Sequence, residues 1–298
     1  MSTIAITGAT GNIGSALVRH LLQAGHRVVA IARRSERLDA LRAAGADTRA
    51  VDVASDAAGL ADALRGADAA FLMIPPRIDA PDFLTYADGV SNTLEAAVRA
   101  SGVRKVVQLS SLGGDLPTGT GPIVSVHRLE NRLRAIEGLD VLALRPTYFM
   151  ENLYSSIGLI KGMGINGGPT RPDVAFPMIA TQDIAAAAAA RLDKLDFRGH
   201  EVQSLLGPQD YTMQDATRAL GAAIGRPELP YVQFPYDQAE QGMVGAGLSP
   251  SMAGLYIEMT RSLNEGDLFK NQPRDARTNT PTTLENWAEQ AFAPAFQG

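Results

Sequence analysis

Ile4-Ala5-Ile6-Thr7-Gly8-Ala9-Thr10-Gly11-Asn12-Ile13-Gly14 runs from an apolar stretch through a glycine turn directly into a helical pattern, Ala16-Leu17-Val18-Arg19-His20-Leu21-Leu22. Strand, glycine turn and helix in that order are the context that a dinucleotide fingerprint requires. Gly8 permits a sharp exit from the strand, Gly11 lets the backbone approach a pyrophosphate, and Gly14 lets the helix pack on the strand. The free N–H groups and positive dipole end of the helix would then face phosphates. Thr7, Thr10, Asn12 and Ile13 join the three glycines as candidate cofactor contacts.

Working outward, the same alternation continues. Arg27-Val28-Val29-Ala30-Ile31-Ala32 reads as a second strand, and Ser35 as the cap of a helix reaching about Ala44. A third strand is expected near Thr48-Arg49-Ala50-Val51, with a short helix from Asp56 to Leu64. Ala69-Ala70-Phe71-Leu72-Met73-Ile74 is nearly all apolar, as a strand buried on both faces should be, and Pro75-Pro76 ends it. A long helix from about Pro81 to Ala100 leads to the strand Lys105-Val106-Val107-Gln108-Leu109-Ser110. A helix at about 125–137 then leads to Asp140-Val141-Leu142-Ala143-Leu144, ended by Arg145-Pro146. Such regular alternation predicts an α/β fold with a doubly wound parallel sheet.

Beyond Pro146 the texture changes: Gly and Pro crowd 162–177, and an Ala-rich helix from about Thr181 to Leu192 follows. Shorter elements succeed it, with strands at His200–Leu205 and Tyr231–Phe234 and helices at 212–224, 236–245, 250–263 and 282–291. The division expected is a nucleotide-binding domain over 1–148 and a smaller α+β substrate domain over 149–298, the segment 174–194 returning to the first.

Composition narrows the function. The chain of 298 residues has a formal net charge of −5 and no basic block, which disfavours nucleic acid as a partner; the partner expected from the dinucleotide fingerprint is a small-molecule substrate. It contains no cysteine, so thiol catalysis, disulfides and Cys-ligated zinc are excluded, and the isolated histidines His20, His26 and His200 show no metal spacing. The start of the chain resembles no signal peptide, and no apolar run approaches a membrane span. The expectation is a cytoplasmic protein.

The residues after the second strand separate the nicotinamide cofactors. An acid there bonds the ribose hydroxyls of NAD, whereas arginine suits the 2′-phosphate of NADP. The chain has Ala32-Arg33-Arg34-Ser35, which favours NADP(H). Asp52-Val53 ends the third strand where an adenine would lie, and offers one polar contact and one apolar wall; alternatively Asp52 only leads the next helix. Met73, Ile74, Ser110 and Pro146, at the ends of later strands, complete the candidate cofactor contacts.

Thr7 to Gly14, Arg33-Arg34, Leu109-Ser110-Ser111 and Leu144-Arg145-Pro146-Thr147-Tyr148-Phe149-Met150-Glu151-Asn152 together resemble the NmrA-like family of atypical short-chain dehydrogenases/reductases. The resemblance extends through Met178 to Ala185 and Thr280 to Glu285. It implies a Rossmann-type sheet, a small C-terminal domain over the nicotinamide end, and NADP(H). Members of that family include NADPH-dependent reductases of quinones and other acceptors, and regulators that bind the cofactor without turning it over.

Short-chain dehydrogenases carry Tyr-x-x-x-Lys on the helix after the fifth strand, whereas this chain reads Pro122-Ile123-Val124-Ser125-Val126-His127-Arg128-Leu129-Glu130. Lacking that couple, the chain is better suited to a quinone, whose reduction gives a stabilised anion, than to a plain ketone. Candidate catalytic residues are Tyr148, His127 and Ser111, each with a structural alternative: packing below the nicotinamide, helix surface, and turn closure. Apolar and aromatic residues suited to a small substrate pocket include Tyr236, Met243, Tyr256, Met259 and Trp287.

Overall fold

Side-chain alternation in the first strand already sorts the core. In β1 (Thr3–Thr7), Ile4 and Ile6 enter one buried cluster and Ala5 another, because successive strand residues face opposite sides of a sheet. The computed structural model describes residues 1–269 and 273–298. Strands β2 (Arg27–Ala32), β3 (Asp47–Ala50), β4 (Ala69–Leu72), β5 (Lys105–Leu109) and β6 (Asp140–Pro146) follow in the same sheet. Two short strands, β7 (Tyr148–Phe149) and β8 (Asn166–Gly168), then β9 (Phe176–Ile179), precede β10 (His200–Leu205). The seven-stranded sheet has the order β10-β6-β5-β4-β1-β2-β3, and every pairing in it is parallel.

The expected doubly wound parallel sheet is thus present. One strand changes place: His200–Leu205, read from sequence as part of the substrate side, is the sheet's edge strand, with Val202 opposite Ala143 and Leu205 opposite Pro146. Of its six residues only Leu205 is buried, as suits a strand at the edge of the sheet.

Helices cover both faces. They are α1 (Asn12–Gln23), α2 (Asp39–Ala43), α3 (Ala57–Leu64), α4 (Phe83–Ser101), α5 (Val124–Arg134), α6 (Ile157–Met163) and α7 (Thr181–Lys194). Helices α1 and α7 lie side by side on the Ile4–Ile6 face, where Ala185 and Ala188 are fully buried and their small side chains allow close approach. On the other face Leu60, Leu94 and Leu129 bring α3, α4 and α5 against Ala5 and Val106. Asp56 and Asp82 cap α3 and α4, accepting from the N–H groups of Gly59 and Thr85. Ser35 does not cap a helix: Arg34 is the extended residue there, and a 3₁₀ turn over Ser35–Leu38 comes first.

The remaining chain builds a third cluster around Met150, Phe176, Tyr211, Trp287 and Phe292. It holds β11 (Asp210–Tyr211), which pairs with β9, and β12 (Tyr231–Gln233), which pairs with β8. Helices α8 (Met213–Ala223), α9 (Tyr236–Gly245), α10 (Pro250–Asn264), α11 (Leu284–Trp287) and α12 (Ala293–Gln297) complete it, with one π-helical turn at Ala288–Phe292. Polar side chains join this part to the sheet. Glu151 accepts from the backbone N–H and hydroxyl of Thr181 and from the Trp287 indole, and Asp183 accepts from the backbone N–H and hydroxyl of Thr282. Among the described residues no helix is long and apolar enough to cross a membrane.

Candidate functional site

Sheet order reverses between β1 and β4, and ligands of open α/β sheets bind at the carboxyl ends of the strands there. The glycine turn lies at that point. Gly8 has φ +64°, and a Cβ on it would stand 2.3 Å from the Met73 sulfur. A Cβ on Gly14 would lie 2.2 Å from the Gly8 carbonyl oxygen, so helix and turn approach as the sequence predicts. Gly11 is different: its Cβ would meet only the Gly8 oxygen, at 3.4 Å, an ordinary contact. The fold itself therefore has room for a side chain at Gly11, and the glycine keeps that surface clear for a close-lying ligand. No side chain caps α1, and Ser15, donating to the Gly11 carbonyl, is the first N–H after the turn to bond inward. The N–H groups ahead of it are left for an anion.

Thr7 is not part of this surface. Fully buried, it donates to the Phe71 carbonyl and accepts from the Met73 N–H, both at 3.1 Å, and so ties β1 to β4. Ile13 is also buried and packs in the core, leaving only its backbone for a ligand.

A cleft of about 370 Å³ runs from Gly8 and Thr10 toward the ends of β2 and β3. One wall is Ala32, Arg33, Val51, Asp52 and Val53; the other is the strap Pro75–Asp79 with Tyr86. Asp52 lines the cleft and also closes its own turn, its Oδ1 accepting from the Ala54 N–H at 3.0 Å. Beside the cleft, Thr10, Arg33, Arg34 and Arg37 surround a depression of about 170 Å³. The three guanidinium groups are exposed and make no ion pair or hydrogen bond among the described residues. The sequence reading missed Arg37. Its signal was the three-residue spacing from Arg34, which a 3₁₀ turn superimposes.

The strap was also missed. Arg77 lies over the Tyr86 ring at 5.5 Å, and the Tyr86 hydroxyl donates to the Pro75 carbonyl. From the C-terminal part, the Ser249 N–H donates to the Ile78 carbonyl at 2.8 Å, and the Ser251 hydroxyl accepts from the Phe83 N–H at 3.2 Å. One wall of the cleft is thus held by residues far along the chain.

Beyond Met73 and Ile74, several expected contacts are engaged elsewhere. Ser110, buried, donates to Glu130, and Glu130 in turn holds the Arg145 guanidinium at 2.7 and 3.0 Å. Ser111 donates to the Leu112 carbonyl, the local turn alternative. Pro146 is buried where β6 meets β10, its carbonyl accepting from the Leu112 N–H. His127 donates through Nδ1 to the Gly114 carbonyl and accepts at Nε2 from Asn131, each at 2.9 Å. Both of its ring nitrogens are therefore in use on α5. Trp287 is core, and Tyr236 lies under Arg261 and accepts from Asn264.

Tyr148 stays available. It follows β6 directly, sets its ring edge-on to Phe176 at 5.5 Å, and makes no hydrogen bond among the described residues. Burial, with Tyr256 nearby, pushes its phenol well above the usual range, so it keeps its proton. The loop from β5 to α5 faces α10 closely here: Gly121 has φ +58°, and a Cβ on it would stand 2.0 Å from the Leu255 carbonyl oxygen.

The family model of the NmrA-like family matches residues 1–288. An NAD(P)H azoreductase from Xenophilus azovorans is 31% identical over 261 residues, 86% of this chain and 85% of that protein. Quinone oxidoreductase 2 of Escherichia coli is 26% identical over 269 residues, 89% of this chain and 90% of its own. The crystal structure of the Escherichia coli NADPH-dependent quinone oxidoreductase complexed with NADPH superimposes with a TM-score of 0.80 at 24% identity, covering 97% of this chain and 99% of that one. This last likeness shows a shared fold.

Proposed function

Because the chain belongs to the NmrA-like family, we propose that it is an NADPH-dependent oxidoreductase whose acceptor is a quinone or another conjugated carbonyl. The observation that carries the reading is the set of three unpaired guanidinium groups of Arg33, Arg34 and Arg37 beside a cleft that starts at the glycine turn. Phosphate is the ligand that such a set of cations suits. The names of the azoreductase and quinone oxidoreductase relatives support electron-accepting conjugated substrates.

The residues present fit NADP(H). Gly11 keeps the pyrophosphate surface clear, the start of α1 offers N–H groups, Val51 and Val53 give an apolar wall for the adenine, and Arg33 stands where a 2′-phosphate would lie. When bound, the cofactor supplies a hydride. The chain contributes placement: Met73 and Ile74 border the carboxyl end of β4, and Tyr148 that of β6. Placing an acceptor at reacting distance can itself account for a large part of a rate, and no Tyr-Lys couple is required for an acceptor that stabilises its own anion. The substrate side is then the part of 149–298 outside α7 and β10.

The test is loss of NADPH absorbance with a panel of quinones and of unactivated ketones. Quinones should be reduced and ketones left nearly untouched. No turnover with any quinone, with tight binding of both oxidised and reduced cofactor, would replace the enzyme by a cofactor-sensing regulator.

A further inference from the structure

We propose that Arg77, laid over Tyr86 on the strap, covers the adenine of the cofactor, so that the base is read by a wall lying outside the glycine fingerprint. The proposal rests on the reading of NADP(H) as the cofactor and adds a residue that determines specificity for its base. One cavity of about 370 Å³ holds all the parts: Gly8 and Thr10 of the glycine turn, Arg33, the buried Val51 and Val53, and Arg77 with Tyr86. With the pyrophosphate at the turn and the 2′-phosphate at Arg33, the adenine is the part of the nucleotide left for the remaining lining. That lining is apolar, aromatic or planar, as a base requires.

Arg77 does little for the fold. Its guanidinium makes no hydrogen bond among the described residues, and its ion pair with Asp79 is long, 3.7 Å, between side chains that are 50% and 71% exposed. Such a pair contributes almost nothing to stability. What holds Arg77 is the Tyr86 ring, whose centroid lies 5.5 Å from the guanidinium carbon. One face of the planar cation is turned to that ring, and a second aromatic plane can take the other. The wall is also fixed before any ligand arrives. The Tyr86 hydroxyl donates to the Pro75 carbonyl at 3.3 Å, the Ala80 N–H to the Arg77 carbonyl at 3.1 Å, and the Ser249 N–H to the Ile78 carbonyl at 2.8 Å. A ligand that meets a wall already in place orders less of the chain on binding.

Arg33 and Arg77 then divide the adenosine half of the cofactor between them. Arg33 answers to the charge of the 2′-phosphate, and Arg77 to the face of the base. NADPH and NADH share that base but not that phosphate, so loss of Arg77 weakens both by the same factor, whereas loss of Arg33 weakens NADPH alone.

The test is calorimetric titration of Arg77→Ala, Arg77→Lys, Tyr86→Leu and Tyr86→Phe with NADPH, NADH and 2′,5′-ADP. Arg77→Ala should bind each ligand about tenfold more weakly than the parent, 2′,5′-ADP included because it carries the base without the nicotinamide. Arg77→Lys should lose nearly as much, since an ammonium keeps the charge but not the plane. Tyr86→Leu should match Arg77→Ala, and Tyr86→Phe, which keeps the ring, should stay near the parent. Should Tyr86→Leu fail to fold, the Arg77 variants, at a half-exposed position, decide alone. A loss confined to NADPH and 2′,5′-ADP, or full affinity in Arg77→Lys, would make Arg77 a phosphate ligand and overturn the proposal. Parental affinity of Arg77→Ala for every ligand overturns it too, with the cofactor reading intact. A parent that binds none of these nucleotides overturns the cofactor reading and the proposal together.

Discussion

Arg33, Arg34 and Arg37 stand at one end of the cleft with no anionic partner among the described residues, whereas Arg145, at the carboxyl end of β6, is held by both oxygens of the buried Glu130. Arg33, Arg34 and Arg145 belong to the motifs by which the sequence resembles its family, and chemically all four side chains are alike. Their surroundings separate them. An exposed guanidinium remains hydrated until a phosphate arrives, so leaving it unpaired costs the fold little. A guanidinium at the base of a loop must carry its counter-ion with it, because an unpaired buried charge destabilises strongly. The arginines of this molecule thus divide into one group left free of partners among the described residues and one that holds the frame.

The sharpest way to break that division is Glu130→Ala. It strips Arg145 of its inner carboxylate and Ser110 of its acceptor, leaving only Asp115 at 3.3 Å, itself largely exposed. The expected loss is about 3 kcal/mol of stability, read as a lower urea midpoint, with NADPH affinity of the folded protein unchanged. A variant as stable as the parent but inactive would move Glu130 from the frame to the chemistry.

Arg33→Ala should do the reverse. A charge-assisted hydrogen bond is worth roughly 1.5–3 kcal/mol, so NADPH should bind about tenfold to a hundredfold more weakly while stability and NADH binding stay the same. Calorimetric titration with both cofactors decides it, and equal losses for the two would mean that Arg33 does not read the 2′-phosphate.

The smallest effect is expected of His127→Ala. Loss of its bond to the Gly114 carbonyl should cost about 1 kcal/mol of stability, and quinone turnover should change only a few-fold. A fall of roughly 10²–10⁴-fold, typical of a general acid, would show that the imidazole leaves Gly114 during the reaction.

What could be read from the sequence follows the range of the interactions involved. The glycine turn, the alternation of strands and helices and the Arg33-Arg34 pair are local signals, and the structure contains each of them. The uses of Thr7, Ser110 and His127 depend on partners brought close only by folding: Phe71, Glu130 and Gly114. A hydroxyl or imidazole looks equally suited to ligand or frame until those partners are known. The strap failed to register for the same reason, since Ser249 and Ser251 are more than a hundred residues distant from it. In β10, the sequence identified a strand but not the sheet it would join, because its partner β6 lies more than fifty residues earlier and is met only on folding.

The anchoring of the strap also sets an order of events during synthesis. A chain emerging from the ribosome amino end first delivers the glycine turn early, and domains usually fold as units in that direction. Here the seventh strand closes the sheet only once Leu205 has been made, and the far wall of the cleft is fastened only when Ser249 and Ser251 follow. The cleft that opens at the glycine turn is therefore finished only after residues more than two hundred positions further along have been made.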